Sequence, residues 1–481
     1  MRFYVILRYA GMVMLYVAGL MLVAAVISCI SGMDSAFYPL ILSALLTALL
    51  ACFPLLFVPK CDQINNKEAF CIVVGAWVMA CFVGMFPYII WGGEFSLVNA
   101  WFESVSGFTT TGASILQNIQ GLPRGLLFWR SATAWIGGIG VVMFALVILP
   151  SFGKTKMTLS SVELSSLAKD NYRYRTQQVV KILLGVYFAL NIMSILLLKL
   201  AGMNWFDALN HGMSASATCG FGTKNTSIAY FDNPFINIVM MVTMIISGIH
   251  FGVIFATVTG KRNNILHSEV TKIYLGIIVV GSLLLAASVY KAGVYDTISE
   301  SLMHGSFQFV SLITTSGFAT ANTNLWPPFA IMILVFASLI CACAGSTSGG
   351  LKIDRLLLFV KMVKARLRGQ QHPAAVTRIK IDGAAQSADV LSTVMVFMVT
   401  YVALIFIGAL VNTFFGMDLL TGVTESIACI SNVGPAFGSV GSLDSYAEVP
   451  VVLKIQATLL MLLGRLEIFG FIQLFFVKWW H

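Results

Sequence analysis

Long apolar runs alternate with short polar stretches along this chain, and each run has about the twenty residues a helix needs to cross a hydrocarbon core. The runs fall near 5–30, 36–58, 69–91, 126–150, 178–202, 234–258, 268–291, 327–366, 388–414 and 450–478. Between the third and fourth, fifth and sixth, seventh and eighth, and ninth and tenth runs lie shorter helical stretches, near 97–108, 205–217, 299–313 and 419–430. These are too short to cross and predict re-entrant half-helices. Each runs into a polar stretch with a glycine: Thr109-Thr110-Thr111-Gly112-Ala113, Ala217-Thr218-Cys219-Gly220-Phe221, Thr314-Thr315-Ser316-Gly317-Phe318 and Ser431-Asn432-Val433-Gly434-Pro435. The glycines recur roughly a hundred residues apart, as one structural unit used repeatedly would place them. The pattern predicts an all-α polytopic membrane protein with four helix–pore-loop–helix units around one pseudo-fourfold axis, preceded by a helix pair. The expected divisions are 1–62 for the pair and 63–165, 166–263, 264–382 and 383–481 for the units.

Composition fixes the solvent. The 481 residues are 58% hydrophobic and 10% charged, with mean hydropathy +0.89, against about 25% charged in soluble domains. No cleavable signal is evident at the N-terminus, whose apolar part is too long and lacks a small-residue cleavage site. The net charge of +9 invites a nucleic-acid reading, but its distribution argues against one. Basic residues gather in alternate loops, chiefly Lys154 to Lys181, Lys261 to Lys272 and Lys361 to Lys380, while the other loops carry Asp34, Glu94, Asp207, Asp232, Asp296, Glu300, Asp418, Asp444 and Glu448. That is the positive-inside pattern. It puts both termini in the cytoplasm and gives an acidic outer face that concentrates cations. The nine cysteines are scattered without metal-ligand spacing, and Cys341 with Cys343 makes no disulfide framework.

Small or polar residues recur in register before each glycine. Nine positions earlier stand Glu103, His211, Gln308 and Glu425; six earlier, Ser106, Ser214, Ser311 and Ala428; two earlier, Thr110, Thr218, Thr315 and Asn432. One reading is polar loops near the membrane surface. The other is backbone at membrane depth, tolerated only where it is buried or lines a water-filled path. In the second case, carbonyls of Thr110, Thr111, Gly112, Thr218, Cys219, Gly220, Thr315, Ser316, Gly317, Asn432, Val433 and Gly434 would replace the hydration shell of a dehydrated cation. The fourth stretch departs from the others at Pro435, which removes a backbone donor.

The eighth run is interrupted by Gly345-Ser346-Thr347-Ser348-Gly349-Gly350, a composition that breaks helices. It lacks the Gly-Lys-Ser/Thr order of a phosphate cradle. An unwound barrier beneath the loops and a simple kink are the two readings. In the last run Arg465 stands mid-membrane, where a charge needs a cavity or a partner. It either acts as a positive group below a cation filter or belongs to an interhelical ion pair. Glu467, two residues on, does not share its helix face. Lys454, nearer the outer end, is expected to snorkel.

These residues resemble the TrkH-type potassium uptake proteins of the Trk/Ktr/HKT superfamily. The resemblance spans essentially the whole chain. It rests on Glu103 to Ala113, Trp135-Ile136-Gly137-Gly138-Ile139-Gly140, Ala344 to Lys352 and Gly464-Arg465-Leu466-Glu467, in that order. It implies a filter at Gly112, Gly220, Gly317 and Gly434, an intramembrane gating loop at 345–350, and Arg465 as the arginine below the filter. Four glycines imply preference for potassium over sodium. It further implies a homodimer in the bacterial inner membrane, docked through basic inner loops (154–181 and 361–380) on a TrkA-like cytoplasmic RCK ring. Nucleotide would bind that ring, with no organic cofactor in this chain.

Two rivals remain. A proton- or sodium-coupled symporter also uses broken helices at the midplane, although these units repeat in parallel and not inverted. An intramembrane enzyme is the weaker one: His211, His304 and Glu103 sit on different helices, and no His-x-x-x-His or Gly-x-Ser-x-Gly element accompanies them.

Overall fold

The computed structural model describes residues 2–59, 66–148, 176–260, 264–372, 378–466 and 468. Most of the basic loop 154–181, part of 361–380, and Glu467 lie outside those residues. The described chain is helical apart from a two-residue hairpin pairing Lys380–Ile381 with Ala384–Ala385. Among the described residues, six helices are long and apolar enough to cross a membrane, or seven with one bent pair. Large apolar side chains cover the outside, such as Leu49 at 70% and Phe406 at 68% exposure, while Thr110, Ser214 and Asn432 are fully buried. A lipid solvent dictates this inversion.

The N-terminal pair, Phe3–Ile30 and Phe37–Phe57, packs on itself and against Asn66–Gly84 and Arg124–Ile148. The four short helices are Leu97–Phe108, Trp205–Ser216, Ile298–Ile313 and Leu419–Ile430. Each starts at a side-chain cap that accepts the backbone N–H three residues on: Ser96 from Asn99, Asn204 from Asp207, Thr297 from Glu300 and Asp418 from Thr421. Capping satisfies donors that a helix end would otherwise leave open. The third short helix has 16 residues where the others have 12, one further turn at its N-terminal end.

Each short helix packs against its own unit and also against a long helix of the unit before it. Trp205–Ser216 touches Arg124–Ile148, Ile298–Ile313 touches Pro234–Ser247, Leu419–Ile430 touches Pro328–Ile340, and Leu97–Phe108 closes the circle on Val451–Arg465. The circle is the architectural fact that positions everything below.

Two long runs are broken. The eighth ends as Pro328–Ile340 and restarts as Ile353–Gln371, with Cys341 and Lys352 in left-handed backbone at the two edges. The sixth, read in the sequence as one continuous span, is two helices, Pro234–Ser247 and Phe251–Val258, bent by 102°. The chain leaves helical backbone at His250, with ψ of 119°, and Gly248 lets the break pack closely, since a side chain there would collide with the Tyr274 hydroxyl and crowd Ala342. The break also lets Gly248 O accept from Cys343 N at 3.1 Å and Phe251 N donate to Gly345 O at 3.1 Å. Helix continuity is given up to dock the other broken segment.

Candidate functional site

All four short helices end alike. The N–H of the residue before each glycine returns to the carbonyl six before the glycine: Thr111 to Ser106 (2.8 Å), Cys219 to Ser214 (2.9 Å), Ser316 to Ser311 (2.8 Å) and Val433 to Ala428 (2.9 Å). This helix-ending motif needs a left-handed residue in between. Thr110, Thr218, Thr315 and Asn432 supply it, with φ of 55°, 53°, 57° and 56°. Left-handed backbone costs a non-glycine residue about 1 kcal/mol or more, so the fourfold recurrence marks a geometry the fold enforces.

The loops meet in cyclic order. A Cβ placed on Gly112 would strike Gly220; on Gly317, Val433 O; and on Gly434, Thr111 O; one on Gly220 would stand 3.1 Å from Ser316 O and 3.2 Å from Gly317, tight but without collision. At Gly112, Gly317 and Gly434 only glycine allows backbones this close. All four glycines line one cavity of about 300 Å³, together with Ser114, Gln117, Asn225 and Asp444. Among the oxygens two residues before the glycines, Thr110 Oγ1 and Asn432 Oδ1 are buried with no hydrogen-bond partner among the described residues. Buried oxygens left open this way are costly unless something fills the site.

Charge stands behind the loops. Glu103 Oε1 accepts from Arg130 Nε at 2.7 Å, with both side chains buried. Ser114 Oγ at 3.0 Å and Ile115 N at 3.1 Å complete the carboxylate's donors. Arg130 also donates to Gly222 O at 3.1 Å and stacks on Phe221 at 4.2 Å, tying the first loop to the second. At the equivalent positions His211 Nδ1 meets Asp207 O at 2.9 Å, Gln308 Nε2 donates to Ala321 O at 3.2 Å, and Glu425 accepts from Asn412 Nδ2. Glu103 and Gln308 thus reach the segments after their loops, whereas His211 bonds within its own helix and Glu425 bonds the neighbouring helix.

Residues 345–350 lie directly beneath. Thr347 Oγ1 donates to Ser216 O at 3.2 Å, and Gly349 N to Thr315 Oγ1 at 3.1 Å. A side chain on Gly349 would strike Ser431 O and Asn432. Ser346 Oγ donates to Cys343 O at 2.6 Å and pairs with Ser348 Oγ at 2.7 Å. Gly345 and Gly350, with φ of 74° and 72°, turn the segment under the loops. Arg465 spans the same space: Nη1 donates to Thr347 O at 2.8 Å and Nη2 to Gly137 O at 2.7 Å. A helix of the last unit is thereby joined to the first unit and to the broken segment of the third.

Sequence reasoning missed two things and misjudged two others. Docking of the Gly248–His250 break onto Gly345 was missed, although a glycine and a histidine inside an apolar run were the visible signal. The cross-loop tie through Arg130 was missed as well, because its partner lies far off in sequence. Lys454 does not snorkel: it is buried, and its Nζ donates to Asn99 Oδ1 at 2.9 Å and Ala447 O at 2.8 Å. The backbone outlier is the second loop and not the Pro435 loop. Gly112, Gly317 and Gly434 have φ of 80°, 71° and 95°, whereas Gly220 is not left-handed. Pro435 packs against Gly317 without disturbing the circle.

Comparison with known proteins completes the description. The TrkH family model, described as a cation transport protein, matches residues 43–479. The Trk system potassium uptake protein TrkH of Salmonella typhimurium is 32% identical over 486 residues, covering 100% of both chains. TrkG of Escherichia coli is 32% identical over 423 residues, covering 87% of this chain and 86% of its own. The crystal structure of the potassium transporter TrkH from Vibrio parahaemolyticus superposes with a TM-score of 0.88 at 29% identity, over 98% of each chain.

Proposed function

This chain belongs to the TrkH family of cation transport proteins, and we propose that it is the potassium-translocating membrane subunit of a Trk-type uptake system. The observation that carries this is the circle of four glycines lining one cavity. Carbonyls and hydroxyls at these four loops replace the hydration shell of potassium. The C-terminal ends of the four short helices point their partial negative charge at the same place. Division of the chain at 62, 165, 263 and 382 makes each unit one quadrant of the filter.

The segment 345–350 is the gate, and the arrangement described is its closed form, with Arg465 pinning Thr347 and its charge opposing cations below the filter. Ion flow is channel-like. A homodimer seats on a TrkA-like cytoplasmic RCK ring through the basic loops 154–181 and 361–380, and nucleotide on the ring moves the gate. Both termini face the cytoplasm of the bacterial inner membrane.

The two broken helices around 248 and 345 are also what a proton- or sodium-coupled symporter would use. Reversal potentials in liposomes, with and without a proton or sodium gradient, separate the two readings. The channel reading predicts a potential set by the potassium gradient alone. A shift with the second gradient would replace it with the symport reading.

A further inference from the structure

The second loop differs from the other three at a single peptide, and its sequence explains why. At three junctions of the circle the carbonyl before a glycine faces the neighbouring glycine: Thr111 O toward Gly434, Ser316 O toward Gly220, Val433 O toward Gly317. At the remaining junction Gly112 faces Gly220 N instead. In a trans peptide the carbonyl points opposite to the N–H, and Cys219 O is indeed turned away, held by Ser214 Oγ at 2.7 Å. The absence of left-handed φ at Gly220 alone is the backbone signature of the same rotation.

In the first and third loops the equivalent serines bond the carbonyl after the glycine: Ser106 to Ala113 O and Ser311 to Phe318 O, both 2.6 Å. There a hydroxyl pair also fixes the residue before the glycine, Thr109 with Thr111 at 2.7 Å and Thr314 with Ser316 at 2.9 Å. The second loop has Ala217 and Cys219 at those two positions, so the pair is missing. The fourth also lacks a pair, but it has Ala428 in place of the serine, and its carbonyl faces the circle. Only the second loop combines a serine able to capture the carbonyl with nothing to prevent the capture.

We propose that Ser214 is a positioning residue that sets which way the Cys219–Gly220 peptide faces, making the second loop the switchable quadrant of the filter. Turned toward Ser214, the peptide offers the ion an N–H, which opposes a cation. Released, it adds the fourth carbonyl. This rests on the filter reading above.

Two variants test it on the protein in detergent, with potassium and sodium titrated separately against thermal unfolding, since an ion at concentration c that binds only the folded state stabilises it by RT ln(1 + c/Kd). Ser214→Ala copies what the fourth loop already tolerates. Ala217→Thr with Cys219→Ser installs the hydroxyl pair of the first and third loops. Removing one hydrogen bond of ordinary strength corresponds to roughly fivefold in an equilibrium. Ser214→Ala is expected to lower the potassium Kd obtained from the shifts by about that factor, the paired variant to lower it in the same direction, and both to leave the sodium Kd nearly unchanged. A folded pair of variants that binds both ions as the parent does overturns the proposal. Gly112→Ser in the same panel distinguishes the failures: if it alters ion preference, the filter reading survives without the switch; if it too is silent, both fall.

Discussion

Replacing Arg465 separates what its charge does from what its geometry does. Its guanidinium bonds Thr347 O at 2.8 Å and Gly137 O at 2.7 Å, carbonyls on two different elements. If the segment 345–350 is the gate, its opening would break the first bond and leave the second. A hydrogen bond to a charged group is worth about 1.5–3 kcal/mol net. Only interactions that differ between two states shift their balance, so the Thr347 bond alone counts. At tenfold per ~1.4 kcal/mol, its loss raises the open fraction by roughly ten- to a hundredfold while the closed form still dominates. Arg465→Met removes both bonds and the charge. Arg465→Lys keeps the charge, but one ammonium lacks the planar fork that bridges two carbonyls. Potassium flux from liposomes containing the protein without any cytoplasmic partner should rise in the order parent, lysine, methionine. Thermal unfolding confirms that each variant is folded. Lysine equal to the parent would show that charge alone closes the path. A folded methionine variant no leakier than the parent refutes the pinning argument.

Deleting 346–350 removes the contacts to Ser216 and Thr315 and should raise basal flux at least as far; a folded but silent deletion contradicts the gate assignment. Glu103→Gln leaves Arg130 buried without its counter-charge, a change that costs about 3–5 kcal/mol, read as a fall in unfolding temperature. Adding Arg130→Met should recover much of that loss. Asp418 caps the fourth short helix, and the hydrogen bond from Thr421 holds its carboxyl below the usual range. A depressed value means the stabilisation is present above the unfolded pKa of about 3.9 and fades only as pH falls through the lower folded value. Asp418→Ala should therefore cost about 1 kcal/mol, unchanged from about pH 5 to 8 and shrinking only in stronger acid, as thermal melts across pH will show.

How much of this was legible in the sequence follows from the range of each interaction. The four short helices and their glycine loops were readable because a re-entrant helix is a local object: a cap, about ten residues, a left-handed stop. The break at 341–352 was readable because three glycines and three hydroxyl residues stand together there. The 102° bend after Ser247 was not, since one glycine inside Pro234–Val258 is compatible with a continuous helix and the close packing on Tyr274 and Ala342 comes from other segments. Lys454 looked free to reach water, but Asn99 and the Ala447 carbonyl satisfy it inside the protein. The orientation of one peptide at Cys219 depends on a serine five residues away and on the absence of a hydroxyl at Ala217. Residue types hint at such a balance, but only coordinates reveal its outcome.

Competitive uptake of potassium and sodium into liposomes tests the central claim most directly, on the parent and on serine variants of Gly112, Gly220, Gly317 and Gly434 taken one at a time. If the four loops form one filter, the parent prefers potassium and every variant loses part of that preference, because each side chain intrudes on the neighbouring loop. An unchanged potassium-to-sodium ratio in folded variants would contradict it.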